Sequence, residues 1–145
     1  MDRRRIQHWI VLMLLPTALA AWLAGCAKAG SSETLIEYSR TGGIAGFDDR
    51  LVIRANGRAT LTRRDQPSEF VLDRETLARL QALLDDAQFT RLDAEYLPSG
   101  QGADLFTYVL TYRGHTVRTM DTAVPEALQP ALDLLNQIVA SHGTP

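Results

Sequence analysis

A chain of 145 residues with 15 Lys+Arg against 17 Asp+Glu carries a formal charge of −2, a balance that argues against nucleic acid, whose recognition usually demands a basic surface. The length suits one domain around a single modest core. One cysteine, Cys26, excludes an internal disulfide framework and a cysteine-rich metal site.

The first element in chain order is a leader. Arg3, Arg4 and Arg5 precede an apolar run from Trp9 to Trp22, followed by Leu23-Ala24-Gly25-Cys26; this is the layout of a basic n-region, an h-region and a small-residue cleavage site. The tetrapeptide resembles the lipobox of bacterial lipoproteins. That resemblance implies acylation of Cys26 and cleavage between Gly25 and Cys26. The alternative, an uncleaved membrane anchor, is opposed by length and composition. The run is about fourteen residues with Pro16 inside it, whereas a spanning helix needs roughly 20. More than one acyl chain, at about 0.8 kcal/mol per buried CH₂, gives stable anchoring. The expected organisation is a signal peptide over 1–25, a lipidated cysteine and short polar tether over 26–33, one domain over 34–141, and a tail over 142–145. Removing the leader takes three arginines and one aspartate and shifts the formal charge from −2 to −4. The expected location is the extracytoplasmic side of a bacterial cell envelope. Ala27, rather than aspartate, follows Cys26, which favours the outer membrane in a Gram-negative cell.

The mature part begins with a strand over Leu35–Arg40, rich in β-branched and aromatic residues. Thr41 to Phe47 interrupts it with Gly42, Gly43 and Gly46, residues that accept positive φ and close backbone approach. A strand over Arg50–Ala55 runs to Asn56-Gly57, the dipeptide of a type I′ hairpin. The return strand Arg58–Arg63 alternates, with Ala59 and Leu61 on one face and Arg58, Thr60 and Thr62 on a wet one. Asp65 to Ser68 reads as a turn. Asp73 then suits an N-cap with Glu75 in the first turn, and Leu77, Leu80, Leu83, Leu84 and Ala87 keep a helical period. Phe89 to Tyr96 is short and amphipathic, and Leu97 to Gly102 is a turn-rich loop. Strands over Leu105–Tyr112 and His115–Met120 flank Arg113-Gly114 as a second hairpin. In the last region Leu128, Leu132, Leu135 and Val139 share a face. Its main helix is expected to start near Pro130, with Pro125 to Gln129 as a preceding turn. The fold class is α+β: a curved antiparallel sheet of about four to five strands, in two hairpins, packed against two helices.

Catalytic patterns are absent from the sequence. Ser39, Ser68, Ser99 and Ser141 lack a Gly-x-Ser-x-Gly elbow, and His115 reads as a hydrogen-bonded strand residue. His142 falls in the short C-terminal tail, which is expected to fray. No His-x-x-x-His, Asp-x-Asp-x-Asp-Gly or Gly-x-x-x-x-Gly-Lys spacing occurs, so no metal, phosphate or cofactor site is expected and the chain reads as a non-enzyme. Asp48-Asp49 and Asp85-Asp86 read as solvated pairs. The arginines at 50, 54, 58, 63 and 64 read as a wet sheet face that also blunts an edge strand, with an anionic partner as the alternative. What remains is a pair of glycine-rich loops, Gly42 to Phe47 and Pro98 to Gly102, on a small domain without catalytic groups.

The order Glu37-Tyr38-Ser39-Arg40-Thr41-Gly42-Gly43-Ile44-Ala45-Gly46, a hairpin, a Leu-rich helix, Gly102-Ala103-Asp104-Leu105-Phe106-Thr107-Tyr108 and Val124-Pro125-Glu126-Ala127-Leu128-Gln129-Pro130 resembles the emfourin family of protealysin inhibitors, over about Leu35 to Val139. The resemblance implies a small α+β protein that inhibits a thermolysin-like zinc metallopeptidase, with the membrane and that peptidase as partners. The leader and the arginine-rich first hairpin depart from the family pattern, so the target need not be the same. Inhibition would proceed by occlusion: Ile44 or Phe47 enters an apolar cleft while the second loop, with Pro98, Ser99, Gly100 and Gly102, packs alongside. The alternative is that both side chains tuck into the chain's own core, a reading at least even for Phe47. The rival reading is an envelope structural or interaction lipoprotein without inhibitory activity. The sequence does not fix the oligomeric state.

Overall fold

The computed structural model describes residues 33–99 and 104–143. The lipobox residues Gly25 and Cys26, and Gly100 and Gly102 of the second loop, lie outside the described residues. No helix among the described residues is long and apolar enough to cross a membrane.

Seven strands form one open, curled sheet: β1 (Thr34–Gly42), β2 (Phe47–Arg54), β3 (Arg58–Arg63), β4 (Gln66–Val71), β5 (Glu95–Tyr96), β6 (Phe106–Tyr112) and β7 (His115–Met120). Their spatial order is β4-β3-β2-β1-β6-β7-β5, antiparallel except for the short β5–β7 pair. The central strand β1 joins a four-stranded meander to the second hairpin. Helices α1 (Arg74–Asp86) and α2 (Gln129–His142) cover one face. The α+β class and the two helices match the sequence reading, but the strand count is higher. Pro67 and its polar neighbours hid β4: the residues read as a turn pair with β3 throughout, with Pro67 opposite Thr62. An edge strand tolerates a residue that cannot donate to the ladder. The actual turn is Arg64-Asp65, both at positive φ (48° and 64°). β5 was missed because two residues carry no readable period.

The hairpin at Arg113-Gly114 is as expected, but the turn at Asn56-Gly57 is not. At Asn56-Gly57 only the glycine takes positive φ, 83°, so the turn is not type I′. The Gly57 amide donates to the Arg54 carbonyl, and Asn56 Oδ1 accepts from the Arg58 amide. Positive φ at both positions appears instead at Arg113 (50°) and Gly114 (77°), as a type I′ turn requires.

Helix α1 starts where Asp73 caps it, accepting from the Thr76 amide at 2.8 Å. It buries Leu80 and Leu84. A 3₁₀ turn over Glu126–Leu128 precedes α2, which carries Pro130 in its first turn and buries Leu132, Leu135 and Val139. His142 is its last residue and stacks on Phe70 with ring centroids 3.8 Å apart, rather than fraying.

Helix-facing side chains fall in rows across the sheet. Leu61, Leu51, Tyr38, Leu110 and Val117 are consecutive cross-strand neighbours, all buried. The next row toward the β1–β2 turn reads Arg63, Asp49, Arg40, Tyr108, Thr119. The row after that is Phe47, Gly42, Phe106. The core is therefore apolar at the end where the chain enters, charged one layer further, and capped by two aromatic rings beneath the first glycine loop.

Candidate functional site

Four connections leave the sheet at the same end as this cap. They are the β1–β2 loop, the Arg64-Asp65 turn, the segment after β5 and the segment after β7, because Gly42, Phe47, Arg63, Phe106, Met120 and Tyr96 all stand at that end of their strands. The register thus brings Leu97, Pro98 and Ser99 to the side on which Gly42 to Phe47 projects.

The first loop is closed by one hydrogen bond, the Gly46 amide donating to the Gly43 carbonyl at 3.0 Å. Gly42 (φ 111°), Gly43 (69°) and Gly46 (60°) supply the backbone that this turn needs. At its tip Ile44 is 89% exposed, the most exposed large apolar side chain among the described residues. Leu97, on the second loop, is 51% exposed. The closed turn thus holds the Ile44 side chain out in solvent. Pro98 is half-buried and Ser99 exposed.

Phe47 occupies a different position. It is half-buried, its ring 5.5 Å from that of Phe106. A Cβ added to Gly43 would stand 2.9 Å from the Phe106 ring. Phe47 and Phe106 thus form the floor of the loop, and Ile44 stands above it.

Beneath the floor lies a charged cluster that the sequence reading missed. Asp49 is fully buried rather than half of a solvated pair. It accepts from Arg40 Nη2 at 2.5 Å and from Arg63 Nε at 2.7 Å. Burial raises its carboxyl pKa, but the hydrogen bonds from Arg63 and Arg40 outweigh burial and hold it below the usual carboxylate range. The Arg40 guanidinium also donates to Asn136 Oδ1 on α2 at 3.2 Å, which accepts from the Tyr38 hydroxyl at 2.7 Å. It lies 5.1 Å from the Phe47 ring centroid and 5.4 Å from that of Phe106. Arg63 reaches the other way, donating to the Gly143 carbonyl at the end of α2. On the far side of Phe106, Asp121 accepts from the Phe106 amide at 2.8 Å and the Tyr108 hydroxyl at 2.6 Å. Burial and that bond push the Tyr108 hydroxyl pKa up, and burial does the same for Tyr38, so both are neutral donors at ordinary pH. One sequence signal existed for the cluster: Asp49 shares strand parity with Leu51 and Ile53, and Arg40 with Ile36 and Tyr38.

The five arginines of the first hairpin do not form one patch. Arg63 turns inward to Asp49, Arg50 approaches Glu37 at 3.7 Å on the opposite sheet face, and Arg58 is exposed near the end where the chain enters. Of the acidic pairs, Asp48 and Asp86 are exposed, while Asp85 accepts from the Tyr112 hydroxyl and from Arg113. His115 Nε2 donates to the Leu92 carbonyl at 2.9 Å and its ring meets Phe89 edge-on, which occupies it structurally. Among the described residues no group of three or more His, Cys, Asp or Glu is placed to hold a metal.

The described arrangement is an exposed apolar tip over an aromatic floor, with Leu97 exposed at the same end of the sheet, three strands away. Comparison with known protein families finds that residues 38–136 match the model of the Emfourin family. No curated protein matches the chain.

Proposed function

This chain belongs to the emfourin family, and from that premise we propose that it is a lipid-anchored proteinaceous inhibitor of a thermolysin-like zinc metallopeptidase, acting by insertion of the β1–β2 loop into the enzyme's cleft. The observation that carries the reading is Ile44, held 89% exposed at the tip of a closed turn. Burying such a side chain contributes about 1.5–3 kcal/mol, or roughly 10- to 100-fold in affinity. The hydrogen bond across the turn and the Phe47–Phe106 floor hold the loop before binding, so little conformational entropy remains to be lost on association. Leu97 to Ser99 supplies a second contact on the same side. Phe47 supports the loop from below and is not the inserting side chain.

The leader supports placement of the domain on the extracytoplasmic side of the envelope, held by acyl chains on Cys26. The outer membrane is the expected membrane in a Gram-negative cell. The test is kinetic. Purified protein is titrated against a thermolysin-like peptidase at several substrate concentrations. Occlusion predicts inhibition that substrate relieves. A stable complex without loss of activity would instead support the structural or interaction lipoprotein, and neither complex nor inhibition at micromolar excess would remove the proposal.

A further inference from the structure

We infer that the buried Asp49–Arg40 pair is the positioning device of the Ile44 loop, fixing through two aromatic rings where the inserting side chain stands. The inference rests on the loop-insertion reading and deepens it.

Arg40 has three kinds of partner. Its guanidinium donates to Asp49 on the neighbouring strand and to Asn136 on α2, and lies over the rings of Phe47 and Phe106. Those rings flank Gly42, which has no side chain to separate them, and Phe106 stands directly under Gly43. A route of direct contacts therefore runs from α2 and Asp49 through Arg40 to the rings and on to Gly43, the residue before Ile44. The planar guanidinium can satisfy a carboxylate and an amide in its plane while covering rings with its face; an ammonium cannot.

Stability alone does not account for the row. A buried ion pair gains little over well-packed apolar residues of similar volume, because desolvation offsets the attraction. The neighbouring row, from Leu61 to Val117, shows that this sheet packs apolar side chains against its helices. The charged row falls one layer below the loop, where direction matters more than burial. Asp49 has a second cation, Arg63, but that side chain runs to the C-terminal carbonyls of α2, whereas the cation–ring contacts with Phe47 and Phe106 are those of Arg40. The two arginines thus divide the roles: Arg63 ties sheet to helix, and Arg40 ties both to the loop.

The test compares Arg40→Lys, Arg63→Lys and Asp49→Asn by urea unfolding, by amide ¹⁵N relaxation of Ile44, Ala45 and Gly46 in the unbound protein, and by association rate with a thermolysin-like peptidase. Arg63→Lys is expected to lower stability and leave loop order and association unchanged. Arg40→Lys and Asp49→Asn are expected to loosen the three amides and slow association about tenfold in the folded protein. Should Asp49→Asn fail to fold, the two lysine variants carry the comparison. Equal loop order in Arg40→Lys and Arg63→Lys, or equal association rates, would overturn the inference. Ile44→Asp separates this outcome from failure of the parent reading. If that variant still inhibits, loop insertion is wrong, whereas the relaxation data on the unbound protein continue to judge the positioning role.

Discussion

Burying Asp49 costs several kcal/mol before its partners are counted, and Arg40 and Arg63 return that cost through charge-assisted hydrogen bonds. Removing the carboxylate by Asp49→Ala leaves two half-buried cations without their shared partner and is expected to destabilise the fold by about 3 kcal/mol, the low end for a buried pair, measured by urea unfolding at neutral pH. The pH dependence follows from the direction of the Asp49 shift. Its folded pKa is depressed, so its contribution is complete above the unfolded value of about 4 and is lost as pH falls below that toward the folded value. Unfolding at pH 7, 5, 4 and 3 is therefore expected to show the gap between wild type and Asp49→Asn constant down to about pH 4 and narrowing below it. A constant gap down to pH 3 would show that the carboxylate is not depressed. Asp49 was hard to read in sequence because adjacent acidic residues usually indicate solvent. Its role depends on Arg40 and Arg63, nine residues before it and fourteen after it, which meet it only through strand register. Ile44 was legible, since an apolar residue between glycines has few local neighbours to cover it.

The loop and the elements that hold it are the next scale. Gly43 and Gly46 share similar positive φ but differ in surroundings: a Cβ on Gly43 meets Phe106 at 2.9 Å, and one on Gly46 meets nothing within 4 Å. Gly46→Ala is expected to cost about 1–2 kcal/mol of backbone strain. Gly43→Ala is expected to cost more, because the ring must also move, and to weaken inhibition. Thermal unfolding of the two variants checks the order, and equal losses would contradict the packed floor. Most elements were legible because their local chemistry agrees with their place. The Leu80/Leu84 stripe and Asp73 cap mark α1, and Ala59 and Leu61 alternate in β3. β4 was not, because Pro67 and its polar neighbours carry turn chemistry while the backbone completes a ladder with β3. The charged row is invisible for a related reason. Each member sits in an ordinary strand, and only the pairing of β1, β2 and β3 lines them up.

On the scale of the molecule, the chain enters beside the β2–β3 turn, where the Ala55 amide donates to the Glu33 carbonyl, and the Ile44 loop leaves the opposite end of β1. The eight steps of β1 from Thr34 to Gly42 span about 26–27 Å, and the seven steps from the proposed anchor Cys26 to Glu33 reach at most about 25 Å. With Cys26 acylated, these lengths favour an orientation in which the loop points away from the bilayer, and a target then approaches it from the aqueous side. With Cys26 acylated, a cysteine introduced at position 44 or 56 is the sole thiol. A fluorophore at 56 is expected to be quenched by lipid-borne nitroxide more strongly than one at 44, and the reverse order would overturn this orientation. The anchor itself is read by mass, as loss of residues 1–25 and added acyl mass on Cys26. The proposed inhibition turns on one side chain entering one cleft. Its most direct test titrates a thermolysin-like zinc peptidase with the wild-type protein and with Ile44→Asp in parallel, both shown to unfold cooperatively. The wild type is expected to suppress peptide hydrolysis and the variant to lose at least about 100-fold in potency, since a carboxylate then replaces an apolar anchor in a dry pocket. Equal potency of the two proteins, or no inhibition by either, would contradict it.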